Sequence, residues 1–368
     1  AQAEDSLGEI DDSNGEVMAV IMQLCDVHER ACNHLGPDPV ALAERLFRFQ
    51  TTGDWDTFHS VLPSYACALG EAGLARYRQL VEAARKKLPA LGPKDFRTHF
   101  DSDRYRVEHA MEELTALSGD IDGLVTVKAR NLSSPRAFLD LAELLQRHGR
   151  HDDALSWTEK GIAAFPDERL DDLVKFCIAE NLRRGDAGRV ESLAWQRFLR
   201  QPGSEAYFEL VGVAKRIGLA DDLAAKALSQ LWQLVRAEEA PGAKRLPSWQ
   251  PPLRSALVAI HLRQKDAEKM WETFCGGPVD VRLWDNVAAV RGMTHPEEGV
   301  TLYKKLLPHL VNAGTRGAQY GAAFEIVKAV HELRVAQSKD AVFQQELAEF
   351  RRAWKAKRNF MKLLATFD

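Results

Sequence analysis

Residues 137–167 read AFLDLAELLQRHGRHDDALSWTEKGIAAFPD, and this stretch decides the fold. Its apolar residues recur at the helical period on both sides of Gly149, which predicts two short amphipathic helices joined by a tight turn. Ser133-Ser134-Pro135 supplies the start signal, a hydroxyl cap followed by a first-turn proline. Leu141 and Ala142 on the first helix, with Ala154 and Gly161 on the second, put small residues where the helices would cross. Gly149 suits a left-handed turn, and Pro166 ends the unit.

Fainter copies follow. Gly185 lies 36 residues after Gly149, Pro202 lies 36 after Pro166, and Gly218 lies 33 after Gly185. Leu193, Ala194 and Phe198 continue the apolar stripe between them. A period of this length marks stacked helix pairs, each too small to bury its own apolar face. No segment alternates as a strand does, and Gly or Pro punctuates amphipathic stretches all along the chain.

Outward from the centre, the first 29 residues hold eight acids and no Lys or Arg. Residues 1–14 read as an acidic disordered lead-in, and a helix is predicted over 15–34. Asp38-Pro39 opens the next helix, Gly53-Asp54 closes it and caps another ending near Ala68, and Leu74–Leu88 forms a further one. Residues 237–252 (AEEAPGAKRLPSWQPP) hold four prolines and read as a linker. The expected division is a helical array over 15–236, with repeats centred on 137–218, and a C-terminal helical section over 253–368. Its last helix, over 340–365, reads as a cap on the exposed end of the array.

A chain of 368 residues exceeds a single compact core, a limit that a stack of repeats avoids. No apolar run is long enough to span a membrane, and a net charge of −4 gives no global attraction to nucleic acid or anionic lipid. Five cysteines, an odd number set mostly in apolar helical patterns, read as buried thiols in a reducing compartment, so the cytoplasm is the expected location.

The 137–167 stretch resembles a tetratricopeptide repeat along its whole length, which implies an α-α superhelix of helix pairs. Leu69-Gly-Glu-Ala-Gly-Leu-Ala-Arg-Tyr77, Lys128-Ala-Arg-Asn-Leu-Ser-Ser-Pro135 and Lys357-Arg-Asn-Phe-Met-Lys-Leu-Leu364 extend the likeness across most of the chain. With the repeat, they resemble an uncharacterised bacterial family related to the helical segments found behind SWIM-type zinc fingers. That resemblance implies a scaffold without known catalytic residues, sometimes coupled to a finger that binds nucleic acid or protein. The finger itself needs Cys-x-Cys and then Cys-x-His; Cys32-Asn33-His34 supplies only the second half.

Candidate chemistry is sparse. Cys25, His28 and Cys32 share one helix face near His34 and have the residue types of a zinc site. The same face is the apolar stripe of its helix, so two buried thiols and a hydrogen-bonded histidine is the preferred reading, and no metal is expected. Neither a nucleophile elbow nor a phosphate-binding glycine loop occurs. Asp152-Asp153 and Asp171-Asp172 stand at helix starts, where the positive end of the helix dipole favours them. The stretch 351–362 carries six Lys or Arg, two aromatics and no acid, and Arg351, Arg352, Trp354, Lys355, Lys357 and Arg358 form the candidate partner-binding set. The expectation is an all-α, non-catalytic scaffold that needs no cofactor and binds an unidentified protein or peptide segment in a repeat groove, away from any membrane. Nucleic acid bound by the basic stretch is the first alternative, and an enzyme with a site assembled from distant helices the second. Oligomeric state is not legible.

Overall fold

The computed structural model describes residues 15–52, 59–96, 101–166, 168, 170–243, 247, 249–314 and 319–367. The acidic lead-in 1–14 and the Gly53-Asp54 turn lie outside the described residues. Among the described residues are eighteen α-helices and no strands, so the expected all-α class is the one the chain adopts. Two compact units divide it, residues 1–180 and 181–368. No helix of the described residues is long and apolar enough to cross a membrane.

The first unit holds α1 (Glu16–Leu35), α2 (Pro39–Thr52), α3 (Leu62–Arg85), α4 (Ser102–Leu117), α5 (Ile121–Lys128), α6 (Pro135–Arg147), α7 (His151–Ala164) and most of α8 (Asp171–Arg184). Tyr77, Leu46, Leu62 and Leu69 are fully buried where α2 and α3 pack together. The break expected between Ala68 and Leu74 is a kink inside α3. Gly70 there is non-helical (φ 50°, ψ −166°), while the helical pattern resumes on either side.

The second unit continues with α9 (Ala187–Arg200), α10 (Ser204–Arg216), α11 (Ala220–Glu238), α12 (Arg254–Gln264), α13 (Ala267–Cys275), α14 (Trp284–Thr294), α15 (Pro296–Gly314), α16 (Gly321–Ala336), α17 (Asp340–Ala353) and α18 (Arg358–Leu364). Its core runs from Val258 and Met270 through Val287 and Leu307 to Leu347 and Phe360. Consecutive helices pack in pairs within each unit, α6 on α7, α12 on α13 and α14 on α15 among them, which fits a superhelix of repeats.

One turn recurs. Gly149, Gly185 and Gly218 all adopt the left-handed conformation (φ 73°, 76° and 76°). The N–H of the next residue donates to a carbonyl five residues back: Arg150 to Leu145 at 2.9 Å, Asp186 to Asn181 at 3.0 Å, Leu219 to Ala214 at 3.0 Å. Lys265 (φ 59°) and Ser338 (φ 57°) build the same turn, through Asp266 to His261 at 3.0 Å and Lys339 to Arg334 at 2.8 Å. The repeat punctuation therefore continues past the Pro-rich stretch, without glycine. Asp186 and Asp266 then cap the incoming helix, accepting from the N–H groups of Arg189 and Lys269 at 3.0 and 3.1 Å.

At the α6–α7 crossing Ala142 and Ala154 are fully buried. A Cβ on Gly161 would lie 2.8 Å from the Phe138 Cβ, so the expected close-packing role of this glycine is real. The single helix expected over 340–365 is two, α17 and α18, joined by a turn at 354–357. On a straight helix Phe360 would sit about 240° round from Trp354. The turn brings both aromatics onto one core, with Trp354 lying 5.9 Å from each of Phe350 and Phe360.

Two glycine-to-alanine changes should move stability in opposite directions. Gly161→Ala forces a methyl into the α6–α7 crossing and is expected to cost about 1–3 kcal/mol. Gly212→Ala, with nothing within 4 Å of the new methyl, gains helix propensity and should stabilise by up to about 1 kcal/mol. Urea midpoints read both; equal effects would contradict the crossing.

Candidate functional site

In the second unit the last turn of α13, the loop 276–283 and the starts of α14 and α15 enclose a cleft of about 670 Å³, within the range of ligand sites. Trp271 and Phe274 stack with ring centres 5.7 Å apart, and Trp284 meets Phe274 edge-on at 5.9 Å. The Trp284 Nε1–H donates to the Val279 carbonyl at 3.2 Å, which fixes the indole.

The loop is fastened from beneath. Arg254, 7% exposed, pairs with both Glu239 oxygens at 2.7 and 2.5 Å and donates to the Thr273 carbonyl at 3.2 Å. A Cβ on Gly277 would sit 2.6 Å from Arg254 Nε, so only glycine lets the loop pass this close. Further along, the Asp280 N–H donates to Ser255 Oγ at 2.9 Å. The aromatic walls are thus held in place before anything binds.

Charges around the cleft are mostly spent on one another. Glu297 is bound by Arg334 at 2.8 Å and Lys339 at 2.5 Å, first Lys339 and then Arg334 drawing its pKa down to about 2. Glu298 is bound by Arg291, whose guanidinium also lies 5.0 Å over the Trp271 ring. Lys305 is exposed on the rim and makes no hydrogen bond or ion pair among the described residues. Burial pushes the Cys275 thiol up, so it stays protonated at neutral pH and is a poor nucleophile. The site can hold an apolar group and orient a negative one.

A second, more polar cleft lies in the first unit, lined by Arg104, Tyr105, Glu108, His109 and Lys128. Here the charges fasten the fold. Arg85 Nε meets Glu108 at 2.8 Å, Arg104 donates to the Pro89 carbonyl at 2.8 Å, and Arg130 donates to that of Leu88 at 2.6 Å. These bonds tie the chain after α3 to α4 and α5. Burial, and then His59 stacked 3.9 Å away, lowers the pKa of His109, which favours its neutral form.

The residues singled out from sequence fall elsewhere. His28 Nδ1 is 2.8 Å from the Tyr65 hydroxyl and buried Cys32 sits against its ring, whereas Cys25 is only half-buried, so the expected burial holds for one of the two thiols. Asp153 stands in the first turn of α7 and accepts from Arg150 at 2.8 Å. In the basic stretch Trp354 packs inward, and Arg351 donates to the Leu364 carbonyl at 2.8 Å. Arg352, Lys355 and Arg358 are exposed and Lys357 half-buried, none with an ion pair among the described residues. The aromatic cleft was missed because Trp271 and Phe274 have the spacing of an ordinary core stripe. The available signal was three large aromatics within 271–284 around Gly276-Gly277-Pro278.

Together these features define an all-helical repeat protein with a preformed aromatic cleft. Residues 1–205, more than half of the chain, match a family of unknown function (DUF6880), and the chain belongs to that family. The match contains the α6–α7 hairpin and the polar cleft; the aromatic cleft lies beyond it. No curated protein matches the chain.

Because Glu297 titrates lower in the folded chain (about 2) than its ordinary 4.5, its stabilising contribution is present above the ordinary value and lost as pH falls through that window. Melting temperature followed from pH 6 to 2 should therefore fall less steeply below about 4.5 in Glu297→Gln than in the parent. An unchanged slope would remove Glu297 as its source.

Proposed function

We propose that this protein is a non-catalytic interaction scaffold that holds a peptide or protein segment against its helical-repeat framework. The observation that carries the reading is the aromatic cleft, which is open to solvent at Cys275, Pro278, Thr301 and Lys305 and locked by Arg254 and Ser255 beneath it. Preformed walls avoid the ordering loss that otherwise opposes binding. The likeness of residues 137–167 to a tetratricopeptide repeat fits this role, since such pairs present surfaces to extended segments. That is an argument from fold alone. None of the five cysteines forms a disulfide, which is in keeping with a cytoplasmic setting.

The cations Arg352, Lys355 and Arg358, exposed and without an ion pair among the described residues, favour a second reading, a nucleic-acid-associated accessory protein akin to those carrying SWIM-type fingers. With Trp354 packed inward, that surface has charge to offer phosphates but lacks the Trp354 ring for stacking on bases.

Selection of a random-peptide library on the immobilised full chain separates the readings. The scaffold reading expects enrichment to a shared peptide consensus. Failure to enrich one counts against it. Salt-dependent binding of random DNA or RNA, lost when Arg351, Arg352, Lys355, Lys357 and Arg358 are neutralised, would move the second reading into first place.

A further inference from the structure

We infer that the aromatic cleft takes an acidic–apolar peptide segment, one whose large apolar side chain packs against the open faces of Trp271, Phe274 and Trp284 while a neighbouring carboxylate meets Lys305. The inference rests on the scaffold reading and names the partner's chemistry.

The walls fix the apolar half. Trp271, Phe274 and Trp284 are half-buried and gathered around one cleft, and their arrangement leaves ring faces and edges for one more apolar group. The rim fixes the charge. Both carboxylates of the lining are already ion-paired, Glu297 with Arg334 and Lys339 and Glu298 with Arg291, Arg334 being shared with Glu346 and Arg291 with Glu268. Lys305 is the one lining cation, and it is left without a counter-ion among the described residues. An incoming acid completes that set, whereas an incoming base meets an unopposed ammonium. Exposure of Cys275, Pro278, Thr301 and Lys305 suits a segment of a longer chain whose ends stay in water. A small molecule in a typical site is mostly engulfed.

Two capped synthetic heptapeptides, Gly-Ser-Asp-Phe-Leu-Ser-Gly and the same with Lys for Asp, test this on the full chain. Binding is read from tryptophan fluorescence and from N-ethylmaleimide labelling of Cys275, with the exposed Cys67 of the first unit as reference. The acidic peptide should bind about three- to fivefold tighter, the range of one exposed ion pair, and slow labelling of Cys275 but not Cys67. Lys305→Glu, a surface change, should reverse the preference while leaving circular dichroism and melting unchanged. Phe274→Ala should weaken both peptides about tenfold. Equal affinities, binding that leaves Cys275 labelling unchanged, or no binding by either peptide up to about 1 mM overturns the inference. So does an apolar carboxylic acid that competes while both peptides fail. A library consensus without an acid, or one that does not shield Cys275, overturns this inference and leaves the scaffold reading standing.

Discussion

Every α-helix leaves its last carbonyls and its first N–H groups without partners, and the eighteen helices of the described residues meet that demand many times over. In this protein the recurring answer is a single left-handed residue after the helix. It lets the next N–H reach back five residues, and twice the following aspartate closes the start of the new helix. At 149, 218, 265 and 338 the two helices that the turn joins lie against each other. Small residues at the crossing, Ala142, Ala154 and Gly161 in the central pair, then let them come close. Remove the left-handed residue and both the closed carbonyls and the helix pairing are lost together.

How much of this could be read from the sequence depended on which residue occupied that turn. At 149, 185 and 218 it is glycine, and the repeat is legible. At 265 and 338 it is lysine and serine, which carry no such signal, so the sequence pattern fades after the Pro-rich stretch although the turn geometry recurs there. Gly70 reads in the sequence as a helix end because glycine marks ends and kinks equally well. At the C-terminus, good helix-forming composition concealed the turn at 354–357, which is set by the contact of Trp354 with Phe350 and Phe360 across it.

The candidate site was less legible than the fold, for a physical reason. Trp271 and Phe274 follow helical spacing and would be core residues if another helix covered them; exposure of their faces is a tertiary property. The supporting residues are more distant still. Arg254 and Ser255 precede the cleft aromatics in sequence, and their hydrogen bonds to Glu239, Thr273 and Asp280 give no local pattern. The polar cleft of the first unit shows the converse. Its buried charges would attract attention in any sequence-blind survey, yet Arg85, Arg104 and Arg130 each hold a main-chain carbonyl or Glu108, and their work is structural.

A binding site that exists before its partner arrives is the claim on which the functional account rests. Amide hydrogen exchange resolved across residues 276–283 tests it most directly, in the free chain and again with a selected peptide. Gly276, Asp280 and Leu283 donate to Glu272, Ser255 and Asp280 in the free structure. Slow exchange of these amides in the free chain, little altered by peptide, is the expected result. Fast exchange in the free chain that slows only when peptide is present would mean that the ligand builds the cleft, contradicting a preformed site.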